Sequence, residues 1–259
     1  MSRKKTTRHK AIIDQLTINP SMRVSELSGA LGVTTETIRR DLEELAAQQL
    51  ISRTYGGALL RQPAEPALSE RHKANVEERA VIGKAAAPLL KGASVLMMGS
   101  GATTVQVAKR IAFEMNNITV ITHSFGVATA LSLNPTIEVI LAPGVYHAGE
   151  GAVHGAQTLR FLLDYNVDWA ILGASGISPA GPTDALMDAA EVYAGMLRQS
   201  SRHMIVADHS KFDRMATARF SQWADIDVLV TDIAPQGPLD QALASGGVDI
   251  QLAKPVRRS

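Results

Sequence analysis

The 259 residues carry 26 Lys/Arg against 25 Asp/Glu, 46% hydrophobic side chains and no cysteine. This length leads to an expectation of two domains, and the apolar share is enough for packed cores. The lack of thiols excludes disulfides and thiolate metal sites and is in keeping with a cytoplasmic setting. No long apolar run is present, and none follows the basic start Met1-Ser2-Arg3-Lys4-Lys5, so neither a membrane span nor a secretory leader is expected.

The near-neutral total conceals an asymmetry. Residues 1–62 hold ten Lys/Arg and six Asp/Glu, a net of +4, which leaves sixteen and nineteen, a net of −3, for the remainder. A basic head on a mildly acidic body is the charge pattern of a DNA-binding module joined to a second domain, although an ordinary basic terminus has the same pattern.

In chain order, three short helices come first. Ile12, Ile13 and Leu16 form one apolar face, Leu27, Ala30 and Leu31 a second, and Ile38, Leu42 and Leu45 a third. Ser25 and Thr34 are the expected N-caps of the second and third helices, and Gly32-Val33 is the tight turn between them. Leu50–Tyr55 reads as a strand, Gly56-Gly57 as a turn and Ala58–Leu60 as a return strand.

Taking Ile38 as the centre of the buried face, at about 100° per residue, Leu42 and Leu45 fall within about 40° of it. Glu36, Arg40 and Thr37 fall at about 160°, 200° and 260°, with Arg39 on the flank at about 100°. A helix with this outward face suits the major groove, where Arg pairs bidentately with guanine and Thr reaches a base edge or phosphate. Thr35, Glu36, Thr37, Arg39 and Arg40 are therefore the candidate readers, and Arg53 is a candidate phosphate or minor-groove contact from the wing. A small helical bundle with a solvated charged face has the same amphipathicity. The short second helix, tight turn, arginine pair and hairpin together favour the winged helix-turn-helix.

These residues also carry a resemblance. Arg23-Val24-Ser25-Glu26-Leu27, then Thr34-Thr35-Glu36-Thr37-Ile38-Arg39-Arg40-Asp41-Leu42, then Arg53-Thr54-Tyr55-Gly56-Gly57-Ala58 resemble the DeoR family of bacterial sugar-metabolism regulators. The resemblance continues through the second domain. It implies a DNA-binding head paired with an effector domain that binds a phosphorylated sugar or a related metabolite.

Arg61–Pro66 has two prolines and little apolar content and reads as a linker. The expected division is a DNA-binding domain at 1–62, a linker at 63–75 and an effector and oligomerisation domain at 76–259. A charged helix is expected at about Val76–Leu90. Short apolar runs follow at Ser94–Met98, Ile118–Thr122, Ile137–Leu141, Trp169–Leu172, Met204–Ala207 and Val228–Thr231, with helical stretches such as Thr104–Glu114 and Ala185–Gln199 between some of them. This alternation predicts an α/β domain with a largely parallel sheet.

The first of these strands runs into Gly99-Ser100-Gly101-Ala102-Thr103-Thr104 and then a helix. Glycines admit a ligand close to the backbone, a helix start favours an anion, and Ser100, Thr103 and Thr104 add hydroxyls. A dinucleotide loop is disfavoured, because Thr104 replaces the third glycine and the next strand ends Thr122-His123-Ser124 without an acid. A bare structural turn and a small phosphorylated ligand are left, and the ligand is favoured.

The loop is similar both to DeoR-type effector domains and to the phosphate loop of ribose-5-phosphate isomerases, whose fold those domains share. By that resemblance Gly99, Ser100, Gly101, Ala102, Thr103, Thr104, His123 and Ser124 are effector contacts. Such regulators usually carry Asp where Gly99 stands and Asn where His123 stands. Asp208-His209-Ser210-Lys211-Phe212 resembles a further family segment and implies Lys211 as a phosphate partner.

A sugar-phosphate pocket raises the question of catalysis, and isomerisation needs a positioned acid and base. Where such isomerases have Asp-Gly-Ala-Asp-Glu, this chain has Leu172-Gly173-Ala174-Ser175-Gly176, without the carboxylates. Asp184 and Asp188 are expected to be solvated or to cap the following helix. His147 and His154, seven apart, are at most a faint metal signal, and no hydrolase elbow occurs. The expectation is a metabolite-controlled transcription regulator, a repressor of carbohydrate genes acting on double-stranded DNA as a homo-oligomer (dimer or tetramer), with no cofactor, metal or catalytic residues. The alternatives are an isomerase-type enzyme with a DNA-binding head, and a second domain that serves only for oligomerisation.

Overall fold

The computed structural model describes residues 3–19, 21–48, 50–60 and 66–253. It divides into two compact units, Met1–Ala64 and Glu65–Ser259. Most of the expected linker core, residues 61–65, lies outside the described residues.

The first unit contains helices α1 (Arg3–Ile18), α2 (Val24–Leu31) and α3 (Thr35–Ala47). A small antiparallel sheet completes it, with β1 (Ser21–Arg23), β2 (Ile51–Thr54) and β3 (Gly57–Leu60) in the order β1-β3-β2. Ile12, Leu16, Leu27, Ile38, Leu42 and Leu45 are buried together, and Val24, Ile51 and Ala58 close the core. Ala30, expected on the apolar face of α2, is exposed, and Val24 takes that place one turn earlier.

Thr34 caps α3 as expected, accepting from the Thr37 amide at 3.3 Å. Ser25 is not a cap. Helix α2 starts at Val24, and Glu26 reaches back to the amide of the cap residue Arg23 at 2.6 Å. The cap is displaced because residues 21–23 pair with β3 as a third strand, so the chain enters the helix directly from a sheet.

The second unit is built on a seven-stranded sheet, parallel throughout. Its strands are β4 (Val95–Met98), β5 (Thr119–Thr122), β6 (Glu138–Leu141), β9 (Val167–Leu172), β12 (Ser200–Val206), β14 (Val228–Thr231) and β15 (Asp249–Leu252), in the order β15-β14-β12-β9-β4-β5-β6. The central strands are buried and largely apolar on both faces, as a parallel sheet covered on both sides requires, whereas the edge strands β6 and β15 are partly exposed. Leu96 and Met98 of β4 join one buried cluster with Ile82, Val107 and Ile111, from α5 (Val76–Ala86) and α6 (Ala102–Glu114). Met97 joins the other with Tyr193 and Met196 of α9 (Met187–Arg198) and Leu239 and Leu243 of α10 (Gly237–Gly246).

Helix α7 (Phe125–Leu131) joins the first cluster through Val127, Ala130 and Leu131, and α8 (Ala156–Leu162) joins the second through Leu162. Smaller pieces are the hairpin β7 (Val145–His147) with β8 (Ala152–His154) and the sheet β10 (Gly176–Ser178), β11 (Gly181–Asp184) and β13 (Ala218–Arg219). The stretch 66–75, expected as linker, contains a helical turn, α4 (Leu68–Arg71), with Leu68 buried in this unit. Among the described residues, no helix is long and apolar enough to cross a membrane.

The strand order fixes where a ligand has room. From β4 the chain moves outward through β5 to β6, then returns to the other side of β4 as β9 and moves outward through β12, β14 and β15. The two halves part at β4 and β9, which leaves a crevice outside their carboxyl ends, the usual ligand position in open α/β sheets.

Candidate functional site

In the first unit, α3 carries the candidate readers. Thr35, Glu36, Arg39 and Arg40 are exposed, while Thr37 is half-buried with its hydroxyl 2.9 Å from that of Thr34. Arg40 meets Glu36 at 3.4 Å and Arg39 meets it at 4.0 Å, both as exposed pairs along one helix face. Such pairs are worth little and are easily exchanged for a stronger partner. Arg53 of β2 lies back over α3, donating to the Arg39 carbonyl at 3.3 Å and lying 3.8 Å from Glu43.

The opposite flank of α3 holds a group that sequence reasoning passed over. Asp41 is only 2% exposed and receives both Nε (2.5 Å) and Nη2 (3.0 Å) of Arg8, with His9 Nε2 at 3.1 Å. Burial pushes its carboxyl up, but the hydrogen bonds and charges of Arg8 and His9 outweigh that and hold it below the usual carboxylate range. With Lys5 on Glu44 at 2.5 Å, part of the basic N-terminal charge serves to lock α1 to the reading helix.

In the second unit, the Ser100–Thr103 loop lies in the crevice between β4 and β9. The loop extends the strand by one bond, Gly99 N–H to the Ile171 carbonyl at 3.0 Å, and then turns at Gly101, whose φ of +132° suits glycine alone. Helix α6 begins at Ala102, and its first internal bond is Val105 N–H to the Gly101 carbonyl. The amides of its opening turn therefore have no partner within the helix and face an anion well.

The cleft is lined by Ser100, Gly101, Ala102 and Thr103, and by three cations, Arg71, Arg79 and Lys211. It also takes in Ser175, Asp184 and Tyr193. Lys211 sits in the 3₁₀ turn His209–Lys211 after β12, which Asp208 caps through the Ser210 amide at 3.1 Å. Asp208 is wholly buried and accepts from Arg79 Nε at 2.9 Å and Asn75 Nδ2 at 2.9 Å. Burial raises its pKa, but Ser210, Arg79 and Lys211 together hold it below the ordinary value.

Of the nine expected effector contacts, Ser100, Gly101, Ala102, Thr103 and Lys211 line the cleft, whereas Gly99, Thr104, His123 and Ser124 lie behind it. Thr104 turns its hydroxyl to the Gly101 carbonyl at 2.9 Å, and Ser124 caps α7 by accepting from the Val127 amide. A Cβ at residue 99 would stand 2.8 Å from Cε1 of Tyr193 and 3.0 Å from Leu172. The tyrosine ring thus fills the space that a side chain at residue 99 would enter. Its hydroxyl donates to the Ser100 carbonyl at 2.8 Å and lies 3.1 Å from the Ser100 hydroxyl.

His123 holds the loop from below. Its Nε2 accepts from the Ser100 amide at 3.1 Å, and its Nδ1 donates to the Val153 carbonyl at 2.8 Å, which fixes a neutral tautomer. Burial pushes its pKa down to about 3, opposed by the Val153 carbonyl and aided by His154. The neutral ring favours folding fully at neutral pH. That contribution is lost as pH falls below the unfolded value of about 6.5 toward the folded one. Between pH 7 and pH 5, His123 alone is expected to cost the second unit about 2 kcal/mol of stability. His123→Asn, which keeps a donor and an acceptor, is expected to flatten the curve, as read by urea titrations at each pH. A variant curve parallel to the wild type would contradict this.

The sequence missed Arg71, Arg79, Asp184 and Tyr193 as parts of the site. Asp184, expected to be solvated or a helix cap, does accept from the Leu186 amide at 3.0 Å, yet it also lines the cleft and meets the Ser175 hydroxyl at 3.3 Å. His147 is exposed and its ring lies 6.0 Å from that of the buried His154. Among the described residues, no three His, Asp or Glu side chains are placed to hold a metal ion.

Residues 8–64 match the DeoR-like helix-turn-helix domain, and residues 74–233 match the DeoR C terminal sensor domain. The chain is 32% identical over 252 residues to the glycerol-3-phosphate regulon repressor of Escherichia coli, covering 96% of this chain and 99% of that one. It is 31% identical to the HTH-type transcriptional repressor GlcR of Bacillus subtilis, covering 93% of each. It is 29% identical to the HTH-type transcriptional repressor CsqR of Escherichia coli, covering 95% and 94%. A solved ribose 5-phosphate isomerase A from Methanocaldococcus jannaschii overlays 54% of this chain and 55% of its own at 18% identity, with a TM-score of 0.40.

Proposed function

Because the chain belongs to the DeoR family of transcription regulators, with the family's DNA-binding head and its sensor domain both present, we propose that it is a repressor released or engaged by a small phosphorylated sugar or polyol. It is a DNA-binding regulator rather than an enzyme, and its sensor domain takes a small-molecule effector. The class of effector and the residues that hold it are our reading. One observation supports them above the rest: the amide-rich turn Ser100–Thr103 and the cations Arg71, Arg79 and Lys211 line one cleft at the point where the sheet halves part.

In this reading, the α6 opening turn and Lys211 hold the phosphate, and Asp184 with Ser175 accepts from sugar hydroxyls. Asp184 would thus supply the acceptor that Gly99 lacks. The head reads an operator through Thr35, Glu36, Thr37, Arg39 and Arg40, with Arg53 at the backbone. A single winged head makes few phosphate contacts, so a dimer or tetramer on paired half-sites is expected. A cytoplasmic location follows from that role. The relative named for a glycerol-3-phosphate regulon makes glycerol 3-phosphate the first compound to try.

The test is a thermal-shift panel of glycerol 3-phosphate, glucose 6-phosphate, fructose 6-phosphate and ribose 5-phosphate, each beside its unphosphorylated parent. A bound ligand raises stability with the logarithm of its concentration. One phosphorylated compound is expected to stabilise the protein and its parent not. Lys211→Ala is expected to weaken that binding about ten- to a hundredfold, the scale of a lost charged hydrogen bond. Equal shifts from parent and phosphorylated compounds would contradict the reading.

A further inference from the structure

Helix α4 is the first helical element of the second unit, directly after residues 61–65, through which the chain arrives from the DNA-binding unit. It is a single turn with few anchors. Leu68 is buried and its amide donates to the Gly149 carbonyl at 2.8 Å. The Arg71 guanidinium pairs with Glu150, both side chains being nearly covered. Arg79, fixed by Asp208, donates to the carbonyls of Arg71 and Ala74.

Arg71 therefore belongs to two structures at once: it lines the cleft, and it ties α4 to the loop at 149–150. The loop is the heavier of the two bodies. Phe125 N–H donates to the Gly151 carbonyl at 2.9 Å, and Val153 N–H donates to the His123 carbonyl at 2.9 Å, so this loop is tied to the β5 end behind the anion turn. The Arg71–Glu150 pair is thus a side-chain tie between α4 and this loop.

We propose that Arg71 is an effector-phosphate contact that exchanges partners: Glu150 in the ligand-free protein, the phosphate in the bound one. This rests on the reading of the cleft as a phosphate site. A phosphate carries nearly two charges and three acceptor oxygens against one charge on a carboxylate, and the guanidinium fork matches it bidentately. Drawing Arg71 inward loosens α4 from the 149–150 loop at the place where the chain leads to the DNA-binding head. Effector occupancy is thereby passed to the connecting segment by a local exchange of charge partners.

Hydrogen exchange on the full-length protein tests this, with glycerol 3-phosphate and inorganic phosphate as the probes. The probe is expected to slow exchange at Ser100–Thr104 and to speed it at Leu68–His72. Glu150→Gln is expected to speed exchange at Leu68–His72 without any probe and to bind the probe about fivefold more tightly. That gain is expected to vanish in the Arg71→Gln/Glu150→Gln double variant, because it operates through Arg71. Protection of Ser100–Thr104 with unchanged exchange at Leu68–His72 overturns the switch and leaves the phosphate site standing. A gain that persists in the double variant also overturns it. Absence of any protection at Ser100–Thr104 overturns the phosphate site and the switch together.

Discussion

Asp208→Asn is expected to destabilise the sensor unit by about 3–5 kcal/mol, the usual cost of removing one partner from a buried ion pair. Asp208 is wholly covered and the Arg79 side chain is 5% exposed, so the substitution strands a cation away from water. Three further donors, Asn75 Nδ2 and the amide and hydroxyl of Ser210, lose a charged acceptor as well. Both tryptophans, Trp169 and Trp223, lie in this unit, so their fluorescence in a urea titration of the full chain follows its unfolding alone. Because the folded Asp208 is held below the ordinary carboxylate pKa, its contribution is complete above that value and is lost as pH falls through the folded one. The wild type is expected to weaken over that acid range, and the Asn variant to lack this component. A double variant, Arg79→Met with Asp208→Leu, is expected to recover much of the loss, since replacing both charges removes the stranded cation. A loss below about 1 kcal/mol for Asp208→Asn would show that the pair is not what fixes Lys211 and α4.

The largest effect on DNA binding is expected at Arg40. Arg40→Ala is expected to weaken operator binding by about 1–3 kcal/mol and to relax sequence preference at one base pair, the signature of a lost base contact. Its side chain is 75% exposed and touches only Glu36 among the pairs described, so the fold has little stake in it. Fluorescence anisotropy with operators varied one base pair at a time reads both effects. A uniform loss across all sequences, with a shallower salt dependence, would instead make Arg40 a phosphate contact and move the reading face toward Thr37 and Arg39.

Much of this was legible in the chain because its strongest signals are local. The Ile38, Leu42 and Leu45 spacing fixes the buried side of α3, and hence its outward face. The central strands of the parallel sheet are buried on both faces, so short runs such as Val228–Thr231 stand out. What escaped was set by pairing across long distances. Strand β1 is Ser-Met-Arg, three residues with no alternation, and exists because β3 offers it an edge.

Asp41 was within reach of the sequence. It lies about 60° from Ile38 on the wheel, a flank too close to the core for a charge without a partner. Arg71 and Arg79 gave no such signal. They stand among ordinary surface-like charges, and only the docking of α4 and α5 brings them to a loop some twenty to thirty residues on. His123 shows the reverse. Its place after β5 reads as a ligand contact, but the fold turns it under the loop, where Ser100 N–H and the Val153 carbonyl use both ring nitrogens. Gly99 becomes intelligible only beside Tyr193, which lies ninety-odd residues away in the chain and against it in space.

Occupancy of the Ser100–Lys211 cleft is expected to change how tightly the head holds DNA. This is tested most directly by titrating a labelled operator with the full-length protein, with and without a saturating amount of the phosphorylated compound that stabilises it. The expected result is a change in operator affinity of at least about tenfold, or 1.4 kcal/mol of coupling. An equal change in ligand affinity is expected when operator is present. A ligand that binds the cleft, protects Ser100–Thr104 and leaves operator affinity unchanged would contradict it.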